Sequence, residues 1–116
     1  MAAPNSLEET RQKLLAQPQR LSGLVEYQEG AIVSRMLLRS GSGNVTLFAF
    51  ATGQSLAEHT TPYDALVYVL DGEAEITISG RPIRAKAGEV LIMPANEPHA
   101  VAAPVPFKML LTMIRS

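Results

Sequence analysis

The chain contains no cysteine, so it has no disulfide framework, no thiolate metal site and no cysteine nucleophile. Neither sign of charge is in excess: ten Lys and Arg stand against eleven Asp and Glu, a net charge of −1. That balance leaves no electrostatic footprint for nucleic acid or for an anionic membrane, and neither partner is expected. Long apolar runs are missing too. No stretch approaches the ~18 residues of a membrane span, and the opening MAAPNSLEETRQK lacks a basic region followed by an apolar one. The expected compartment is therefore the cytoplasm. Internal repeats and low-complexity tracts are absent, and there are only two histidines, His59 and His99. What remains is ordinary for a globular protein: 116 residues, 47% hydrophobic and 18% charged, enough for one domain and one core.

Two textures divide the chain. Ser6-Leu-Glu-Glu9 fits a capping box, and Leu7, Leu14 and Leu15 fall near one helical face, which predicts a helix over Leu7–Gln17 ended by Pro18. Residues 1–22 are read as an N-terminal helical extension and residues 23–116 as a single barrel domain. From Gly23 onward, short β-rich runs alternate with turn residues. Strands are expected at Leu24–Glu29, Ala31–Arg39, Asn44–Ala51, Ala65–Leu70, Glu73–Ser79, Pro82–Ala85, Val90–Met93, His99–Ala102 and Phe107–Ile114. Many short strands at this spacing imply an all-β sandwich or small barrel. In EAEITIS, Ala74, Ile76 and Ile78 share one face and Glu73, Glu75 and Thr77 the other, so one face is buried and one wet. ALVYVL (Ala65–Leu70) and MLLTMI (Met109–Ile114) are apolar on both faces. Their outer faces need a cover larger than one short helix, and a homodimer is expected.

The histidines sit in two segments of similar design, GQSLAEHTTPYDALVYVLDG (Gly53–Gly72) and GEVLIMPANEPHAVAA (Gly88–Ala103). Each opens on a turn glycine and runs through strand-like residues to or past one histidine. This spacing resembles the paired signature of the cupins, small RmlC-like jelly-roll barrels of the double-stranded β-helix type. Gly53, His59 and Gly72 hold places in the first half of that pattern, and Gly88, Pro94 and His99 in the second. Thr61 and Ala65 occupy the slots of a second histidine and a glutamate, while Asn96 and Ala103 depart from the second half. The resemblance implies a barrel in which His59 and His99 point inward at what remains of a four-ligand site for a divalent transition metal. With two of four ligands gone, the expected cofactor is none or a weakly bound metal. Asp64 is the carboxylate nearest in sequence. On an unbroken strand, though, residues 59, 61 and 65 share a face and residue 64 points away. Only a bulge near Pro62 would turn it inward.

Two readings of the pocket follow. His59, Thr61, Tyr63 and His99 are expected to form its polar part, with Ala65 on the same wall. Met93, Phe107, Met109 and Met113, with Met36, would give a soft apolar lining suited to an irregular ligand, although most such methionines are simply core. The first functional reading is a protein that binds a small, largely apolar molecule at a degenerate metal site. The alternative is a metal-dependent enzyme, of dioxygenase or isomerase type, working through His59 and His99. No residue pattern names a substrate. Asn96 stands where the pattern has glycine, a turn position whose left-handed conformation asparagine tolerates. Arg81 and Arg84 read as part of a solvated hairpin.

Overall fold

The structure, a computed structural model, describes residues 6–115; the first five residues of the N-terminal extension and Ser116 lie outside them. Helix α1 spans Leu7–Leu14, and Ser6 caps it by accepting a hydrogen bond from the Glu9 amide at 3.2 Å. It ends three residues short of the expected Gln17. Pro18 disfavours helical backbone at the residue before it, and the chain has already turned at Ala16, whose φ is 55°.

Nine strands follow: β1 Ile32–Ser40, β2 Gly43–Phe50, β3 Ser55–His59, β4 Asp64–Asp71, β5 Glu73–Ile78, β6 Arg81–Lys86, β7 Val90–Met93, β8 His99–Ala102 and β9 Phe107–Ile114. All ladders are antiparallel. They form one sheet of order β1-β2-β9-β4-β7 and a second of order β3-β8-β5-β6, the jelly-roll arrangement expected from the sequence.

Two expectations need correction. Leu24–Glu29 is not a strand. After a single 3-10 turn at Leu21–Gly23 it runs as a strap outside both sheets, tied down by side-chain hydrogen bonds at and near its ends. Arg35 donates to the Leu24 carbonyl at 3.0 Å and Lys108 to the Ser22 carbonyl at 2.7 Å, while the Tyr27 hydroxyl donates to Asp71. Conversely, Ser55–His59 is a strand that residue preference hides, because SLAEH has no β-branched residue; its pairing with β8 imposes the conformation.

Period-two alternation divides the packing. Ala65, Val67 and Val69 of β4 are at most 1% exposed and face the barrel, while Leu66 and Tyr68 face out. Inside, Phe50 stacks on Phe107 at 4.5 Å between ring centroids. With Ile76, Met109 and Val101 they fill the deeper part of the barrel. A second cluster of Leu24, Val25, Leu37, Leu47 and Ala49 lies on the outer face of β1 and β2, beneath α1 and the strap. Arg35 fastens this cover, since its Nε also donates to the fully buried Thr10 hydroxyl at 3.0 Å. The rest of that outer face is bare: Leu66, Tyr68, Val90, Ile92 and Ile114 are exposed. The second sheet is wet outside, where Arg84 bridges Glu73 and Glu75.

Candidate functional site at the barrel mouth

Two connections cross between the sheets at one end of the barrel, residues 60–63 from β3 to β4 and residues 94–98 from β7 to β8. They are tied together. The Asn96 amide donates to the Thr61 carbonyl at 2.7 Å, and the Ala95 amide to the Asp64 carboxylate at 2.9 Å. Asn96 adopts φ 66°, the left-handed turn that asparagine tolerates.

The histidines meet beside these connections. His99 faces inward on β8 with Val101, and its cross-strand partner on β3 is His59. Their rings pack edge-to-face with centroids 4.5 Å apart. The pairing depends on a bulge. Leu56 pairs with Val101 and His59 with His99, so Ala57 and Glu58 stand opposite Ala100 alone. In a regular strand His59 would point away from the face that Leu56 uses; the extra residue turns it back.

Backbone carbonyls fix both rings. Nδ1 of His59 lies 3.0 Å from the Ala57 oxygen and Nδ1 of His99 lies 3.2 Å from the Glu97 oxygen. A carbonyl can only accept, so each Nδ1 carries a proton and each neutral ring presents the lone pair of Nε2. His99 is 4% exposed and His59 lies open at the rim. Burial pushes the His99 imidazole below its usual range, a shift opposed by the Glu97 carbonyl and reinforced by His59.

Comparison with known proteins agrees with this geometry. The family model described as "Cupin domain" matches residues 46–114. The chain belongs to the cupin family. A conserved protein of unknown function from Streptococcus pyogenes has a similar structure, with 35% identity and a TM-score of 0.84 over 87% of this chain and 89% of that one. A cupin superfamily protein from Desulfitobacterium hafniense is 35% identical, with a TM-score of 0.82 over 87% and 93% of the two chains. A cupin 2 conserved barrel domain protein from Leptotrichia buccalis is 46% identical over 81% of this chain but only 46% of its own, with a TM-score of 0.79. No curated protein is similar enough to count as a relative.

The other sequence-nominated residues of this cupin are distributed unevenly. Ala65, Met93 and Met113 are direct cross-strand partners on the inner face of the five-stranded sheet, at its mouth end. They form the wall facing the histidines, so Ala65 and His59 lie on different sheets. The single strand assumed from the sequence is broken at residues 60–63. Thr61 and Tyr63 occupy that break, where the Thr61 hydroxyl accepts from the Tyr63 amide at 3.3 Å. Phe107 and Met109 are buried deeper, at 0% and 1% exposure. Met36 pairs with Thr46, one step further in than Asn44.

Asp64 does not join the histidines. It lies on β4 with the outward parity of Leu66 and its carboxylate binds the Ala95 amide, so the inward turn considered for it is absent. Among the described residues no group of three or more His, Cys, Asp or Glu side chains is placed to hold a metal ion. The donor set offered to a divalent metal is thus two imidazoles, which does not amount to the four-ligand cupin site. The sequence also left two mouth residues unnoticed. Asn44 is the cross-strand partner of Met113, and Arg39 is the partner of Asn44. A depression of about 340 Å3 borders them, lined by Leu38, Arg39, Asn44, Val45, Met113 and Ile114 among others. Alternation from Phe48 through Thr46 to Asn44 was the available signal.

Proposed function

We propose that this cupin binds a small, largely apolar molecule at the barrel mouth, with the Nε2 edges of His59 and His99 as its polar handle. The observation that carries this reading is the juxtaposition of two carbonyl-oriented imidazoles with an apolar inner row of Met113, Ala65 and Met93. The deeper barrel is filled by its own side chains, so the ligand sits at the mouth and is small. A thermal-stability screen of small acids, sugars and phenolics tests it. A specific ligand at 100 times its Kd adds about 2.7 kcal/mol, and a set in which nothing stabilises the protein or perturbs the histidine resonances contradicts it.

One observation favours the metal-dependent alternative. An Nδ1–H donated to a carbonyl is also how metal-ligating imidazoles are oriented, and both histidines have it. Two imidazoles without a carboxylate hold a divalent ion weakly, so this reading requires a substrate that completes the coordination.

The same protein is proposed to act as a homodimer. Leu66 pairs with Ile92 and Thr112, and Tyr68 with Val90 and Leu110, making one uncharged outward patch across β7, β4 and β9. A second copy offers an identical face with no charge to desolvate, and the two patches bury each other about a two-fold axis.

A further inference from the structure

The mouth row of the five-stranded sheet runs Arg39, Asn44, Met113, Ala65, Met93, each the cross-strand partner of the next. It is polar at one end and apolar at the other. The polar end is donor-rich. The Thr46 hydroxyl donates to the Asn44 amide oxygen at 2.9 Å, which leaves the Asn44 NH2 group to face a ligand. Arg39 follows the same parity after the bulge between Met36 and Leu38, which re-aims it to the face of Asn44 and Met113.

Charge at this end has no partner among the described residues. Their ion pairs are those of Arg84 with Glu73 and Glu75, so no described carboxylate lies within ion-pair reach of Arg39. Two acids elsewhere on the mouth are engaged, Asp64 by the Ala95 amide and Glu97 by the Ser79 hydroxyl at 2.9 Å. Glu58, exposed in the β3 bulge, is not paired with Arg39 either. A surface arginine with these properties is ordinarily just solvated. Here it shares a depression with Asn44 and Met113, which gives a ligand room against all three.

We infer that the mouth selects a small monocarboxylate, its carboxylate on the Arg39 guanidinium and the Asn44 amide, its hydrocarbon body against Met113. The inference rests on the mouth-binding reading above and narrows it to one chemical class. A planar guanidinium matches a carboxylate with two parallel charge-assisted hydrogen bonds. One cation balances one negative charge, whereas a phosphate dianion would keep an unpaired charge beside apolar side chains.

The test is an NMR titration with three probes of equal chain length, hexanoate, hexanamide and hexylamine, followed at the amides of Arg39, Asn44, His99 and Met113. Hexanoate is expected to shift these resonances and to bind about tenfold more tightly than hexanamide, the range of a hydrogen bond to a charged group. In Arg39→Gln that preference should vanish, and Arg39→Lys should restore part of it; resonances of the distant Phe107 and Ile76 report that both variants stay folded. Equal binding of hexanoate and hexanamide at the mouth, or tightest binding of hexylamine, overturns the carboxylate inference while the mouth-binding reading stands. Shifts at none of the four positions with any probe overturn both.

Discussion

His59 and His99 are cross-strand partners across a bulge in which β3 carries Ala57 and Glu58 opposite Ala100 alone. Deleting Glu58 leaves Ala57 alone opposite Ala100 in a regular strand and should keep His59 inward, whereas deleting Ala57 and Glu58 together places His59 opposite Ala100 and should turn it to the outer face of the four-stranded sheet. Nuclear Overhauser contacts between the two imidazole rings are expected in the natural protein and in the single deletion, and not in the double deletion. If the contacts survive the double deletion, strand parity does not set the direction of His59.

The environment of His99 makes stability depend on pH. Burial, above all, lowers its pKa in the folded state below the usual 6.5, so between those two values the unfolded chain binds more protons. Stability from this group is therefore complete above about pH 6.5 and declines as pH falls toward the folded pKa. Denaturant titrations from pH 8 to pH 5 should show that decline, and His99→Gln should flatten it. An unchanged slope in the variant would assign the decline to other groups.

Close packing inside the barrel yields a graded set of stability effects. Phe107 is 0% exposed and stacked on Phe50, so Phe107→Ala should cost about 3–5 kcal/mol. Gly72 has φ 73°, and a Cβ there would lie 2.0 Å from the Pro106 oxygen. Gly80 has φ 82° with nothing within 4 Å. Gly80→Ala should lose only the backbone preference, about 1–3 kcal/mol, and Gly72→Ala distinctly more. Urea denaturation of the three variants ranks them; equal losses at the two glycines would contradict the close approach at Gly72.

For the proposed dimer, Leu66→Glu combined with Ile92→Lys places opposite charges on a directly paired outward position. The pair satisfies itself within the sheet but spoils an apolar interface. Sedimentation velocity at micromolar concentration should show a dimer for the natural protein, burying at least about 1,000 Å2, and a folded monomer for the variant. A natural protein that sediments as a monomer rules the interface out.

Glycine punctuation and alternation made most of the barrel legible in advance. The motif glycines Gly53, Gly72 and Gly88 all adopt positive φ, at 81°, 73° and 90°, which is why those positions mark turns so reliably. Three things were hidden for physical reasons. The bulge in β3 leaves no sequence mark, because any residue can be the extra one. The strap at Leu24–Glu29 has the composition of a strand, but it is pinned by residues distant in sequence, Arg35 on the Leu24 carbonyl and Lys108 on the Ser22 carbonyl just before it. Arg39 resembles a solvated hairpin residue until the register of β1 with β2 shows which face it shares.

The central claim is that the mouth carries too few ligands to hold a divalent metal tightly and serves a small organic molecule instead. Calorimetric titration of Mn, Fe or Ni into the natural protein and into Thr61→His with Ala65→Glu tests it most directly. The double variant supplies a third imidazole and the carboxylate that the cupin resemblance expects at those two slots, giving a set that transition metals favour. The account predicts weak binding by the natural protein, weaker still in acid, where protons compete with the metal for imidazole nitrogen, and much tighter binding by the variant. Tight, stoichiometric binding by the natural protein would contradict it and make the metal-dependent enzyme the leading reading.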